Sequence, residues 1–206
     1  MKKWKAMGEF GDRIDWHAHV GEILDSGDQI FHTWDKDKFK ESIGFIQTDT
    51  EVGARKALDC GCHMGRWIDV VHSSGLHYTG VDQCDRALSE AKKRRPDVDL
   101  VHSFLWDMKF NEEFDISFTH AVLQHNQREE QERIVPKIYD TLKYGGIFTM
   151  AEGTLPDDAT SGYSTQRTQS GWIDMVCSFG FKFIKTFRKN PNGIEDNYIF
   201  RKERNG

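Results

Sequence analysis

The segment Asp59-Cys60-Gly61-Cys62-His63-Met64-Gly65 decides the fold that we predict for this chain. It follows a short apolar run that begins at Lys56, and it precedes an amphipathic segment that begins at Arg66. The two glycines allow a tight turn and the close approach of a ligand to the backbone. A strand, a glycine bend and a helix in this order are typical of doubly wound α/β sheets, in which the ligand lies beyond the carboxyl end of the first strand.

The chain beyond this segment extends the pattern. From Arg55 onward, short apolar runs alternate with amphipathic helices, which predicts βαβ units and a Rossmann-like, doubly wound, seven-stranded α/β sheet, mostly parallel, with helices on both faces. One antiparallel strand is expected in the edge region, because the last two strands follow each other through a turn at residues 190–193. The predicted strands cover residues 56–60, 77–81, 98–102, 114–119, 147–152, 182–187 and 198–202. The predicted helices cover residues 35–46, 66–74, 86–95, 127–143 and 171–179.

Residues 1–50 differ from this pattern. They are polar and contain one clear helical stretch, and we interpret them as a cap on the substrate side of a ligand-binding domain formed by residues 51–206. The aromatic and histidine side chains of this cap either pack on the sheet edge or cover the pocket as a lid; they are Trp16, His17, His19, Phe31 and Trp34. The insert at residues 153–169, after the fifth strand, is the second segment expected to select the substrate.

Composition excludes several classes of protein. The length of 206 residues fits one domain, and 14 Phe and 6 Trp are enough to build a core. The net charge of −5 argues against a dedicated nucleic-acid binder. Every apolar run is far shorter than the roughly 18 residues of a membrane-spanning helix, and acidic residues follow the basic start, so we expect a cytoplasmic protein with no membrane partner. The four cysteines have no C-x-x-C spacing, which favours reduced thiols and predicts no metal site.

A second acidic residue indicates which ligand the bend holds. Asp82 ends the second predicted strand, where its carboxylate can accept both hydroxyls of an adenosine ribose. A dinucleotide fold would need G-x-G-x-x-G, but His63 and Arg66 occupy the second and third glycine positions counted from Gly61. Asp59 would also repel a pyrophosphate. An acidic residue before the glycines instead suits a cationic ligand with an ammonium or sulfonium group.

These residues resemble a family. Leu58-Asp59-Cys60-Gly61-Cys62-x-x-Gly65 is similar to the first motif of the class I S-adenosylmethionine-dependent methyltransferases, and Gly80-Val81-Asp82 matches their ribose-binding acid. Phe114-Asp115-Ile116, followed by Ala121-Val122-Leu123-Gln124-His125, matches their fourth-strand motif, and Leu142-Lys143-Tyr144-Gly145-Gly146 resembles the turn before their fifth strand. The resemblance covers residues 55–202 and implies an enzyme that uses S-adenosylmethionine to methylate an oxygen or nitrogen of a small molecule.

The resemblance also implies which residues hold the cofactor. Asp59 and Gly61 would face the methionine end, Asp82 the ribose, and residues 104–106 the adenine. His63 stands where the family has its middle glycine, and its ring either turns outward over the loop or contacts the ligand directly. The full set implied is Asp59, Gly61, Cys62, His63, Gly65, Arg66, Trp67, Asp82, Gln83, Phe104, Leu105, Trp106, Thr119 and His120.

Three residues near the ends of strands are candidate catalysts. His120, His125 and Glu152 can each take a proton, but a general base is needed only for an acceptor that must lose one. The alternative to catalysis is a packing role for His125 and contact with the cofactor for His120.

Two other functions stay open at this point. A narrower resemblance to the protein α-amine N-methyltransferases would make a peptide N-terminus the partner. The replacement of a family glycine by His63 would also fit a subunit that binds the cofactor without catalysis.

Overall fold

A computed structural model describes residues 15–26, 36–49, 53–154, 159–161, 164–188 and 195–203. The helices are α1 (Trp16–Ser26), α2 (Lys36–Asp49), α3 (Ile68–Ser73), α4 (Asp85–Arg94), α5 (Arg128–Thr141) and α6 (Gln169–Cys177). The strands are β1 (Lys56–Cys60), β2 (His77–Asp82), β3 (Asp99–His102), β4 (Phe114–His120), β5 (Leu142–Gly153), β6 (Ala159–Ser161), β7 (Ser164–Gln166), β8 (Phe181–Arg188) and β9 (Glu195–Lys202). No helix within these ranges is both long enough and apolar enough to cross a membrane.

Seven strands form the central sheet in the order β3-β2-β1-β4-β5-β9-β8. Strand β9 is antiparallel to both of its neighbours, and it lies between β5 and the outermost strand β8. The predicted Rossmann-like sheet with one antiparallel strand in the edge region is therefore confirmed. Strand β1 pairs with β2 on one side and with β4 on the other. The order of the strands reverses at this point, so a crevice opens beyond the carboxyl end of β1.

The alternation of side chains along β1 divides the core into two layers. Leu58 and Cys60 are buried in the layer that contains Ile134 of α5. Ala57 faces the other layer, where it belongs to the same cluster as Phe39 of α2. Because successive residues of a strand point to opposite faces, this short strand is covered on both sides and its end is held firmly.

Helix α1 was not predicted, since only one helical stretch stood out in the first fifty residues. Val20 and Ile23 pack against Cys84 and Ala87 at the start of α4. The contact places the first turn of α1 above the glycine bend. The predicted cap residues Phe31 and Trp34 and the turn at residues 190–193 lie outside the described residues.

Several predicted boundaries differ from the observed ones, and two of these differences have a clear local reason. The predicted helix 127–143 ends at Thr141 as α5, because Leu142 already pairs with Phe114 in the sheet. The helix predicted from residue 66 begins at Ile68 as α3, because residues 64–67 form turns.

Candidate active site

A cavity of about 250 Å³ lies at the carboxyl ends of β1, β2 and β4, and the first turn of α1 forms part of its wall. The predicted site residues that line it are Gly61, Cys62, His63, Arg66, Trp67, Asp82, Gln83, Leu105, Trp106, His120 and His125. The predicted site residues outside this lining are Asp59, Gly65, Phe104, Thr119 and Glu152. The lining also contains residues that were not predicted as site residues, namely Met64, Ala121, Val122, Asn126 and Ile134.

The glycine bend is fixed by its neighbours. The backbone N–H groups of Gly61 and Cys62 both donate to the carbonyl oxygen of Val81, at 2.8 and 3.0 Å. Gly61 has φ +84°, and a Cβ atom there would lie 2.7 Å from the methyl groups of Val122. Glycine is therefore needed at this position both for the backbone conformation and for the close approach of the loop after β4.

His63 adopts the left-handed conformation that glycine favours, with φ +48°. Its backbone N–H donates to Oδ2 of Asp82 at 2.8 Å. Its ring lines the cavity and lies 5.7 Å, centroid to centroid, from the ring of His19 on α1. Of the two orientations expected for this ring, the structure has the one directed into the cavity. Burial lowers the pKa of His63 to about 4, with the nearby His19 as the smaller cause.

Asp82 holds the bend and the start of α4 together. Its Oδ2 accepts from His63, and its Oδ1 accepts from the backbone N–H of Cys84 at 2.8 Å. Burial raises the pKa of this carboxyl, while the backbone hydrogen bonds oppose the shift. The side chain lines the cavity at the end of β2, where the sequence predicted it.

Asp59 lies beneath the cavity instead of in its wall. The residue is 1% exposed, and its Oδ2 accepts a hydrogen bond of 2.7 Å from the hydroxyl of Tyr78. Burial raises the pKa of Asp59 to about 8. The carboxyl of Asp59 therefore faces Tyr78 on the neighbouring strand and does not line the cavity, so the structure shows no direct contact through which it could attract a cationic ligand.

Glu152 also lies behind the wall. Its carboxylate accepts backbone hydrogen bonds of 3.1 Å from both Val122 and Gln124. The side chain is fully buried, and burial raises its pKa to about 7. Glu152 thus fixes the turn at Leu123–His125, which carries His125 into the cavity wall.

The aromatic side chains fall into two groups. On the side of β3, the rings of Phe104 and Trp106 stack with centroids 4.8 Å apart, and Trp106 lines the cavity. Phe104 itself is 48% exposed, so it supports the lining ring from outside. At the end of β4, the ring of His120 lies 4.6 Å from that of Trp67.

Helix α1 contributes to a cluster in the cavity wall that the sequence did not bring together. Trp16 of α1 lies 6.0 Å from His63 and 5.7 Å from His125, measured between ring centroids. We call His19, His63 and His125, arranged around Trp16, the histidine cluster. Trp16 and His19 are thus cap residues that reach the pocket. His17 is exposed and faces Asp85 at 3.4 Å instead.

The comparison with protein families decides which family this site represents. A methyltransferase domain family matches residues 57–146, which include the glycine bend, Asp82 and the turn after β4. This match supports the predicted class I S-adenosylmethionine-dependent methyltransferase superfamily. The predicted family is confirmed, and with it S-adenosylmethionine as the cofactor of the family.

Two curated relatives of this methyltransferase chain have names that include a reaction. A trans-aconitate 2-methyltransferase of Rhizobium rhizogenes is 27% identical over 142 residues, which are 66% of this chain and 51% of that protein. A ubiquinone biosynthesis O-methyltransferase of Methylococcus capsulatus is 28% identical over 85 residues, which are 37% of this chain and 36% of that protein. The chain therefore spans about half of the first relative and about a third of the second.

A solved methyltransferase shows the same fold. CalS10, an amino pentose methyltransferase of Micromonospora echinaspora solved with S-adenosylmethionine bound, superposes with a TM-score of 0.72 at 14% identity. The match covers 89% of this chain and 96% of CalS10. The predicted alternative of a peptide N-terminus as partner finds no support among these proteins.

Proposed function

We propose that the chain transfers a methyl group from S-adenosylmethionine to an oxygen or nitrogen atom of a small-molecule acceptor. The observation that carries this proposal is the joint presence of the glycine bend, Asp82 and Trp106 in the wall of one cavity, at the crossover point of a methyltransferase sheet. The names of both curated relatives support it, since one refers to trans-aconitate and the other to an O-methyltransferase.

The cavity wall fits the two ends of the nucleoside. Each carboxylate oxygen of Asp82 accepts one backbone hydrogen bond. A carboxylate can accept about four in all, so Asp82 has the capacity to bind both ribose hydroxyls as well. Leu105 and the face of Trp106 would hold the adenine, with the backbone at these residues facing its polar edge. Gln83 belongs to the same side of the cavity.

The methionine end would lie along the glycine bend. Gly61, Cys62 and His63 line the cavity there, and Arg66 at the end of the bend supplies a guanidinium that can pair with the carboxylate of the cofactor. Asp59, Gly65 and Thr119 would act from behind the wall by fixing the strands and the bend.

The acceptor would lie between the end of β4 and helix α1. When bound, S-adenosylmethionine supplies an electrophilic methyl group. Trp67 and His120 would orient the acceptor and exclude water, and positioning of this kind supplies much of the rate of a displacement. His120 or His125 would take the proton of a hydroxyl or ammonium acceptor. Glu152 would act as a positioning residue, because it holds the turn that carries His125.

The same assignment divides the chain into two parts. Residues 51–206 would bind the cofactor, and residues 1–50 would form the cap on the acceptor side. Trp16 and His19 support this division, because they are the cap residues in the wall of the cavity.

Calorimetric titration and product analysis test the proposal. We expect S-adenosylhomocysteine to bind and to be displaced by S-adenosylmethionine, and we expect mass spectrometry to detect a methylated product among mixed metabolites. Preferential binding of a nicotinamide or flavin dinucleotide would refute the cofactor assignment. Binding of S-adenosylmethionine without turnover on any acceptor would favour a non-catalytic subunit.

The role of His120 is tested separately in single-turnover reactions at saturating cofactor. His120→Ala should slow the reaction, whereas His77→Ala should not, because His77 is an exposed residue at the opposite end of β2. An unchanged rate in His120→Ala would remove this residue from the candidate catalysts.

A further inference from the structure

The charges in the cavity wall are distributed unevenly. Among the described residues that line it, Asp82 is the one carboxylate and Arg66 is the one guanidinium. The other titratable groups of the lining are the thiol of Cys62 and four histidines, namely His19, His63, His120 and His125. If Asp82 binds the ribose, the part of the wall left for the acceptor contains imidazoles and no acid.

The histidine cluster converges from three separate elements. His19 comes from α1, His63 from the glycine bend and His125 from the turn after β4. Trp16 touches all three rings edge-on, with centroid distances of 5.6, 6.0 and 5.7 Å respectively. Residues so distant in sequence form one face of the cavity only because α1 packs on α4.

One atom of this cluster needs a ligand. The Nε2 of His63 is buried and has no hydrogen-bond partner in the described part of the chain. Leaving a buried polar nitrogen unpaired costs about 1–3 kcal/mol. Because the ring lines the cavity, a bound group is well placed to satisfy this nitrogen.

The acids nearest to the cluster are already engaged or lie to one side. Asp82 accepts backbone hydrogen bonds, and Glu152 does the same behind the turn that carries His125. Just before α1, Asp15 accepts from the backbone N–H of Ala18, and Glu22 on α1 acts on His19 through its charge. No group of three or more metal-binding side chains within the described ranges is arranged to hold a metal ion. A cationic acceptor would thus find no carboxylate other than Asp82 in the described lining, and Glu22 acts on the cluster only from outside that lining.

Resting on the proposed methyl transfer, we propose that the acceptor carries a carboxylate and that the histidine cluster binds it. Imidazole N–H groups donate to a carboxylate with charge-assisted strength once the rings are protonated, and Trp16 closes the same face against solvent. A carboxylate acceptor has no proton to lose at neutral pH. This wall would then bind and orient the acceptor without needing a general base.

Such binding would take up a proton. Burial lowers the pKa of His19 against the opposing effect of Glu22, and burial lowers that of His63 to about 4, so both rings are neutral near pH 7 in the free protein. A carboxylate beside them favours the imidazolium form and raises the pKa in the complex. Affinity should therefore fall as pH rises through that higher pKa, by at most about tenfold per pH unit for one proton.

The experiment uses the full chain saturated with S-adenosylhomocysteine. Trans-aconitate, maleate and benzoate are each titrated calorimetrically against the corresponding amide, from pH 6 to 8, in two buffers of different ionisation enthalpy. We expect at least one acid to bind about tenfold tighter than its amide, with uptake of roughly one proton. The proposal is overturned if none of the acids binds more tightly than its amide, or if the binding of the acid takes up no proton.

A matched pair of variants on α1 assigns the effect to the cluster. His19→Gln keeps a polar side chain but cannot be protonated, and it should reduce the preference for the acid to less than about threefold. His17→Gln should retain the full preference, because His17 faces Asp85 outside the cavity. His63→Gly is the second variant in case His19→Gln does not fold. A preference that survives in both His19→Gln and His63→Gly contradicts the role of the cluster.

The two proposals fail in different ways. Failure of S-adenosylhomocysteine to bind would refute the proposed function. Its normal binding without any preference for acids would refute the carboxylate proposal alone.

Discussion

The two sides of the cavity are built differently. The bend side, formed by Gly61–His63 and Asp82, is held by backbone hydrogen bonds between neighbouring strands and loops. The opposite side is the histidine cluster with Trp16, in which ring contacts join three elements that are remote in sequence. Backbone hydrogen bonds tolerate few changes in geometry, whereas side chains in a wall can be exchanged one at a time. This difference suits a constant cofactor on the bend side and a variable acceptor on the other.

The largest expected effect concerns the acid beneath the bend side. Burial raises the pKa of Asp59 to about 8 in the folded protein, well above the ordinary value of an aspartate. The unfolded chain therefore releases this proton at lower pH, and stability should fall as pH rises from about 4 to about 8. We expect Asp59→Asn to raise the free energy of unfolding at pH 9 by roughly 2–5 kcal/mol and to change it little at pH 4.

Urea unfolding at several pH values measures this effect. The exposed Asp99→Asn should show no such dependence on pH. If the free energy of unfolding changes with pH in the same way for the wild type and Asp59→Asn, the buried carboxyl of Asp59 does not lower the stability at high pH.

The next effect tests whether the bend side holds the nucleoside. Asp82→Ala removes a carboxylate that would bind the ribose hydroxyls, and it leaves two backbone donors unpaired. We expect the affinity for S-adenosylhomocysteine to fall about tenfold or more in a calorimetric titration. Asp85→Ala, a nearby acid whose side chain is 65% exposed, is the control that should keep its affinity. Unchanged affinity in Asp82→Ala would contradict the ribose assignment.

A smaller effect concerns His63, which belongs to both sides. Its φ of +48° is costly for any residue with a Cβ atom and easy for glycine. Both His63→Gly and His63→Ala lose the ring, so the difference between their free energies of unfolding reports the cost of the backbone conformation alone. We expect the glycine variant to be more stable than the alanine variant by about 1 kcal/mol in denaturant unfolding. Equal stabilities would show that the bend relaxes when the ring is absent.

The smallest expected effect concerns Trp16, at the centre of the histidine cluster. Trp16→Ala removes the centre of the histidine cluster but no group of the bend side. We expect the affinity for S-adenosylhomocysteine to change by less than about threefold, while the KM for the acceptor rises. A loss of nucleoside affinity as large as that of Asp82→Ala would mean that the two sides are not independent.

The residues of the bend side could be located from the sequence because their signals are local. Gly61 followed by Asp82 at the end of the next strand is a pattern that a linear sequence displays directly, and the structure places both residues in the cavity wall. Asp59 also precedes the bend, but its carboxyl accepts a hydrogen bond from Tyr78, and its role toward the ligand stays a prediction. The direction of one side chain at the end of a strand depends on the neighbouring strand, and the spacing of residues does not contain it.

The opposite side was predicted only in part. Trp16 and His19 were recognised as possible lid residues, yet α1 itself was missed and their convergence with His125 had no signal in the sequence. Glu152 was predicted as a candidate base because it ends a strand, and its burial and its two backbone donors favour our proposal that it acts as a positioning residue. Only the packing of the turn after β4 distinguishes these two roles.

By itself, the sequence determined the order of the seven strands of the central sheet and of helices α3 to α6, the glycine bend, the acid at the end of β2 and the resemblance to the family. These follow from periodicity and from backbone conformations that few residues permit, and both are properties of neighbouring positions. The tertiary structure alone decided which carboxyls face the cavity and which lie behind it, and it alone assembled the histidine cluster. Those features depend on contacts between α1, the bend and the turn after β4, and contacts between distant elements form only when the chain packs.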